Sequence, residues 1–214
     1  MSGIPVPLTW VLLALAVAGS DSIPRDVYLP VDVQDRRSFH SLTLTAIGGF
    51  GMVRKPRPGV PSHLHTGIDI RRPRPDYGNE PVFPIAKGVV ISRRTDGPFA
   101  QIIIEHTLEG VQFWTVYEHI AGITAELSAA VDPMTPIGRF MNRGELQRYG
   151  WQFDHVHFEV LRTKPFPLKP DVRNPERRCA SYTLQCHTAA ELERYFYDPT
   201  VFLSSNPKSL PRRR

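Results

Sequence analysis

The chain has 214 residues, enough for one ordinary domain with extensions and too few for two full ones. Hydrophobic residues at 41% and charged residues at 22% exclude wholesale disorder, and 21 prolines speak for strands and loops rather than long helices, so the class is mostly β. A formal charge of +5 and a pI near 9.4 favour polyanions, but the basic residues are scattered in short clusters with no finger, helix-turn-helix or aromatic-interleaved pattern, so nucleic acid is not an expected partner.

In chain order, residues 8–18 (LTWVLLALAVA) form an uncharged apolar run of the length of a signal-peptide core, too short to span a bilayer. Ala16 and Ala18 have small-x-small spacing, which places cleavage after Ala18, with Ser20 as a rival, and makes residues 1–18 a signal peptide. The expected protein is exported, periplasmic or extracellular, a monomer, and without stable membrane insertion after cleavage. Residues 19–45 mix Pro, Asp, Arg and Ser without a sustained period and read as an extended arm. From there the text changes to short apolar or alternating runs at 42–47, 82–91, 101–105, 111–119 and 155–161, separated by Gly and Pro, a spacing that predicts an antiparallel β-sandwich or barrel-like sheet over a domain at 46–170. Residues 171–214 form an extension. In an exported chain its two cysteines, Cys179 and Cys186, read as a disulfide worth about 2 to 3 kcal/mol; without a signal they read as two free thiols. Thr188 and Glu191 have capping-box spacing ahead of a short helix over 189–197, Asp198-Pro199 closes it, and a basic tail follows.

Histidines carry the chemistry. In a strand, residues two apart project from one face with their Cα atoms roughly 6 to 7 Å apart, so His155 and His157 can address one small volume while Val156 and Phe158 point into an apolar layer. His65 and Asp69 would lie about 13 Å apart in an extended chain, so for both to reach one ion the segment must fold, through a bend at Gly67, which the β-rich surroundings favour, or through a helical turn. His119 ends an alternating strand, where it can reach a cleft. Singly each piece has an ordinary explanation; together they supply the three N/O ligands and open fourth position of a zinc site.

In the order in which they occur, HTGID at 65–69, EPVFPIAKGVV at 80–90, YEHI at 117–120, a V…IG piece at 131–138 and HVHFE at 155–159 give residues 46–161 a resemblance to the lysostaphin-type zinc endopeptidases of peptidoglycan, a family of small β folds. The resemblance implies one Zn2+ held by His65, Asp69 and His157, with His119 and His155 as unligated catalytic histidines, and a peptidoglycan peptide as substrate. His155 is taken as general base and His119 as oxyanion or leaving-group partner, two roles that the sequence leaves exchangeable. The stretch between Gly138 and Asp154 departs from the family's glycine-rich piece, which bears on substrate preference rather than on chemistry. His63 reads as a rim residue and His106 as structural, while Glu159 either supports a ligand histidine or forms a surface salt bridge. Tyr117 and Trp151 line the cleft or pack. A non-catalytic regulator of a wall hydrolase and a zinc endopeptidase acting on protein are the rival readings.

Overall fold

The computed structural model describes residues 26–205, so the leader and the basic tail read from the sequence lie outside the described residues. The architecture is mostly β and antiparallel, as the run spacing predicts. Its main sheet contains β1 (Ile68–Arg71), β2 (Gly88–Arg94), β3 (Gln101–Leu108), β4 (Val111–Glu118), β5 (Ala130–Val131), β6 (His155–Leu161) and β7 (Phe196–Tyr197). The order is β7-β6-β4-β3-β2-β5, and β1 also pairs with β6. Both β1 and β7 therefore share one edge of β6, the first along residues 155–158 and the second along 160–161. Between β3 and β4 the chain turns through Glu109 and Gly110, both with positive φ, as a two-residue hairpin loop with right-handed strand twist requires.

A second, three-stranded sheet places Gly138–Phe140 between Pro81–Val82 and Ile120–Ala121, and the two sheets form a sandwich-like pair, not a closed barrel. Alternation along the main strands sorts their side chains. Ile102, Ile104, Phe113, Tyr117, Val156, Phe158 and Val160 enter one core with Val82, Ile120 and Phe140 of the second sheet and Ile137 just ahead of its middle strand. The described part of the arm joins them: Val27, Leu29 and Val31 are buried in this core, and a short 3-10 helix at Phe39–Ser41 interrupts the extended chain. Each such buried aliphatic or aromatic side chain contributes about 1.5 to 3 kcal/mol. Ile103, Trp114, Val116 and Leu161 face the other way, where Cys179, Cys186, Leu192 and Phe196 of the C-terminal extension cover them.

Several local expectations are corrected. Residues 42–47 form no strand; Leu44 contributes one isolated bridge to Ile70. Between Gly138 and Asp154 lies α1 (Arg143–Tyr149), started by a capping box of Asn142 and Glu145. The helix α2 (Ala189–Tyr195) has its capping box at Thr188 and Glu191 but stops before Phe196 and Tyr197, which are recruited to the edge of β6. Asp198-Pro199 begins a helix instead of merely closing one: Asp198 accepts from the Thr200 N–H at 2.8 Å and α3 (Pro199–Ser204) follows. In place of the disulfide, Cys179 and Cys186 are two free, buried thiols in the same apolar cluster.

Candidate metal centre

Strand register builds the site. On β6, Val156 and Phe158 face the core, so His155, His157 and Glu159 face the opposite side. Asp69 of β1 is paired directly with His157, and Glu118 of β4 is paired with it on the other flank. His65 arrives from the bend at Gly67. There the backbone passes so close to β6 that a Cβ would stand 2.3 Å from the Phe158 carbonyl oxygen, and glycine is required for proximity rather than for a special φ. Gly67→Ala is expected to push β1 off β6 and destabilise the chain by about 1 to 3 kcal/mol, read as a lowered urea midpoint at unchanged m.

Three donor atoms meet at one point. His65 Nε2, His157 Nδ1 and Asp69 Oδ1 are each 3.0 Å from the other two. The far side of each ring determines what faces inward. His65 Nδ1 donates to the Gly49 carbonyl at 2.8 Å, and His157 Nε2 donates to Glu159 Oε1 at 3.1 Å. The inward nitrogens therefore carry lone pairs in the neutral rings, beside a carboxylate oxygen that can only accept. Three acceptors this close call for a cation among them. A tetrahedral ion bound at about 2.0 to 2.1 Å holds its ligands roughly 3.3 Å apart, so the set needs to open only slightly. Among the described residues this is the one group of three or more His, Cys, Asp or Glu whose ligand atoms converge in this way.

Electrostatics agree with the geometry. Burial raises the pKa of Asp69, but the hydrogen bond and positive charge of His157 outweigh it and hold the carboxylate ionised far below its usual range. Burial lowers His65, which is neutral. Burial also disfavours charge on His157, yet Asp69 and Glu159 on its two sides overcome this and push its pKa up to about 10. Between two carboxylates, a second proton on His157 and a metal ion are alternative ways to supply positive charge.

His119 and His155 stand beside this triad. Their rings meet edge to face at 5.0 Å, and His155 Nε2 is 3.5 Å from Asp69 Oδ1. His119 joins β4 to the strand Ile120–Ala121 of the second sheet with φ 63, a left-handed conformation uncommon for histidine, and this corner turns its ring toward His155. Its Nδ1 donates to the Pro98 carbonyl at 2.6 Å, so Nε2 keeps a lone pair. Burial lowers both pKa values to about 4, which leaves two neutral imidazoles at physiological pH.

All five residues singled out in the sequence thus come together. His63 is buried and bonds the Pro61 carbonyl at 2.9 Å, outside the three-donor group. His106 is fully buried between the Lys87 carbonyl and Thr115, a structural role. Tyr117 packs in the core with its hydroxyl accepting from the Ile85 N–H. Trp151 is half-exposed and edge-on to Tyr77, while Phe153 and Phe99 wall His119 at 4.9 and 5.7 Å. Glu159 supports His157 and is no surface residue, at 1% exposure. Three contributors were not foreseen. Arg54, which the sequence shows only as one of a basic cluster, donates to the second Asp69 oxygen, Oδ2, at 2.5 Å and to the Ile47 carbonyl, steering Oδ1 toward the histidines. Thr66 and Thr183 donate to Glu159 Oε1.

The sequence model of peptidase family M23 matches residues 63–170, half of the chain. The chain belongs to peptidase family M23. The lysostaphin-type resemblance drawn from the HTGID and HVHFE motifs is thereby borne out. No curated protein matches the chain. Among solved structures, the M23 chain is similar to a component of a SpoIIIAH and SpoIIQ complex, at 21% identity and TM-score 0.44 over 63% of this chain and 90% of that one. It is similar to a zinc-containing peptidase from Vibrio cholerae at 24% identity and TM-score 0.41, over 64% of this chain and 37% of that longer one. It is also similar to the deep-sea M23 metalloprotease pseudoalterin, at 20% identity and TM-score 0.31 over 65% of this chain and 66% of that one.

Proposed function

We propose that this M23 peptidase is an exported zinc metalloendopeptidase that hydrolyses peptide crosslinks or bridges of bacterial peptidoglycan. The observation that carries the reading is the closure of two imidazole nitrogens and one carboxylate oxygen to 3.0 Å, with the outer nitrogen of each ring held by a fixed acceptor. Two nitrogens and one oxygen suit zinc with an open position. His65, Asp69 and His157 would hold the ion. When bound there, zinc supplies Lewis-acid polarisation of the scissile carbonyl and an acidified water.

The unligated histidines handle protons. His119, neutral and with its Nδ1 hydrogen committed to Pro98, offers Nε2 as acceptor for the proton of the attacking water. That tautomer exchanges the roles taken from the sequence, making His155 the partner that stabilises charge on the carbonyl oxygen or hands a proton to the leaving amine. Export rests on the apolar leader, and the basic surface, pI near 9.4, suits an anionic wall.

The test is metal content together with product release. Purified chain is expected to hold one zinc and to release muropeptides from isolated walls while leaving casein intact. Casein cleavage without muropeptide release would transfer the reading to protein substrates, and a zinc-loaded chain that cuts neither would make it a non-catalytic member.

Metal uptake should also be linked to protons in a definite ratio. Asp69 is already ionised and His65 already neutral, so only the second proton on His157 has to leave. Affinity is expected to rise about tenfold per pH unit while His157 keeps its second proton and to level off toward pH 10. In the metal-free chain the same proton contributes stability that is complete below pH 6.5 and lost as pH rises through about 10. Competition titrations at stepped pH check the slope; a flat profile counts against a charged His157.

A further inference from the structure

Residues 181–187 lie beyond the segment that matches the family, which ends at residue 170, yet they touch both halves of the metal centre. On one side Thr183 Oγ1 donates to Glu159 Oε1 at 2.7 Å, the same oxygen that accepts from His157 Nε2 at 3.1 Å. Ser181 lies 2.7 Å from the Thr183 hydroxyl and can donate to it, leaving the threonine hydrogen for the carboxylate. On the other side the Cys186 carbonyl accepts from the Leu64 N–H at 2.7 Å, and His187 Nδ1 donates to the Ser62 carbonyl at 2.9 Å, so the segment fixes the strand that delivers His65.

We infer that this C-terminal segment is a strap that positions the metal ligands, with Thr183 acting through Glu159 on His157. Glu159 is buried, and among the described residues its other oxygen, Oε2, has no hydrogen-bond partner. The carboxylate therefore depends on three donors gathered at Oε1: His157, Thr66 and Thr183. A buried carboxylate that loses one of three donors turns toward whatever polar group remains, and the imidazole it orients turns with it. Because Nδ1 of that imidazole is 3.0 Å from both other donor atoms, a small rotation spoils the convergence. Cys186, fully buried, anchors the strap in the apolar cluster on the same face of the sheet. Thr183 is a positioning residue that touches neither ion nor substrate, and the functional unit of this chain extends past the part it shares with the family.

The inference rests on the proposed metal site, and the test separates the two. Co2+ affinity of the full chain is measured by competition with a chromophoric chelator for wild type, Thr183→Val and Thr183→Ser, each also in a Glu159→Gln background, with the melting midpoint of each metal-free protein recorded. Thr183→Val is expected to weaken Co2+ binding about tenfold and Thr183→Ser to restore it, with no further loss from valine once Glu159 is replaced. Wild-type affinity in Thr183→Val overturns the inference alone, as does an equal loss in the Glu159→Gln background, which would mark a general packing defect. A wild type that takes up no cobalt overturns the functional reading and this inference with it.

Discussion

Asp69→Ala is expected to cost the chain more than about 100-fold in zinc affinity, beyond the effect of losing an outer-shell partner, and all measurable hydrolysis with it. The carboxylate serves the centre in three ways. Oδ1 is the one oxygen in the donor triad, 3.0 Å from each histidine nitrogen. Its charge, ionised far below the ordinary carboxylate range, joins that of Glu159 in favouring positive charge at His157. Oδ2 anchors Arg54, so alanine would also leave a partly buried guanidinium unpaired beside the vacated position, repelling a divalent ion. Asp69→Asn separates these contributions: it keeps the shape, removes the charge, and should fall between wild type and alanine. Chelator competition on the purified variants, with circular dichroism to show that the sheet persists, decides it. Zinc retained at wild-type affinity by Asp69→Ala would remove this residue from the metal site.

His119→Asn is expected to leave zinc affinity within a few-fold of wild type and to lower turnover by about two to four orders of magnitude. Asparagine is chosen because the position has φ 63, where an alanine variant would combine loss of the imidazole with an altered backbone. Asparagine tolerates that conformation and offers no proton acceptor of comparable basicity. His155→Ala is expected to behave similarly, and the double variant should be hardly worse than either single one, because residues that act as a unit in one step are not additive. Full turnover with zinc bound in either variant would exclude that histidine from the chemistry.

Much of this site was legible before any coordinates, because the β period of two and the reach of an extended chain are fixed by backbone geometry. His155 and His157 share a face by that period, and of the two ways to bring His65 and Asp69 together, a bend or a helical turn, the chain uses the bend at Gly67. The strand 155–161 and the capping box at Thr188 and Glu191 were equally local. Asn142 and Glu145 carry the same local capping signal for α1. What local pattern could not reveal depends on distant segments. Phe196 and Tyr197 continue the helical apolar pattern of α2 but gain more as edge partners of β6. Arg54 meets Asp69 across a turn, and Thr183 reaches Glu159 from 24 residues away. The arm 26–45 has too little periodicity to announce that Val27, Leu29 and Val31 lie in the core.

The divided edge of β6 has a consequence for how the molecule is made. Among the described residues, Leu161 and Val160 find their outer neighbours in Phe196 and Tyr197, whereas residues 155–158 are paired by a segment that precedes them. During N-to-C synthesis the C-terminal end of the strand waits with open backbone donors and acceptors until some 35 more residues have emerged, about two seconds or more at ordinary elongation rates. An unfinished sheet border of that kind invites pairing with another nascent chain. The short strand Phe196–Tyr197 therefore guards solubility during biogenesis as well as closing the finished fold.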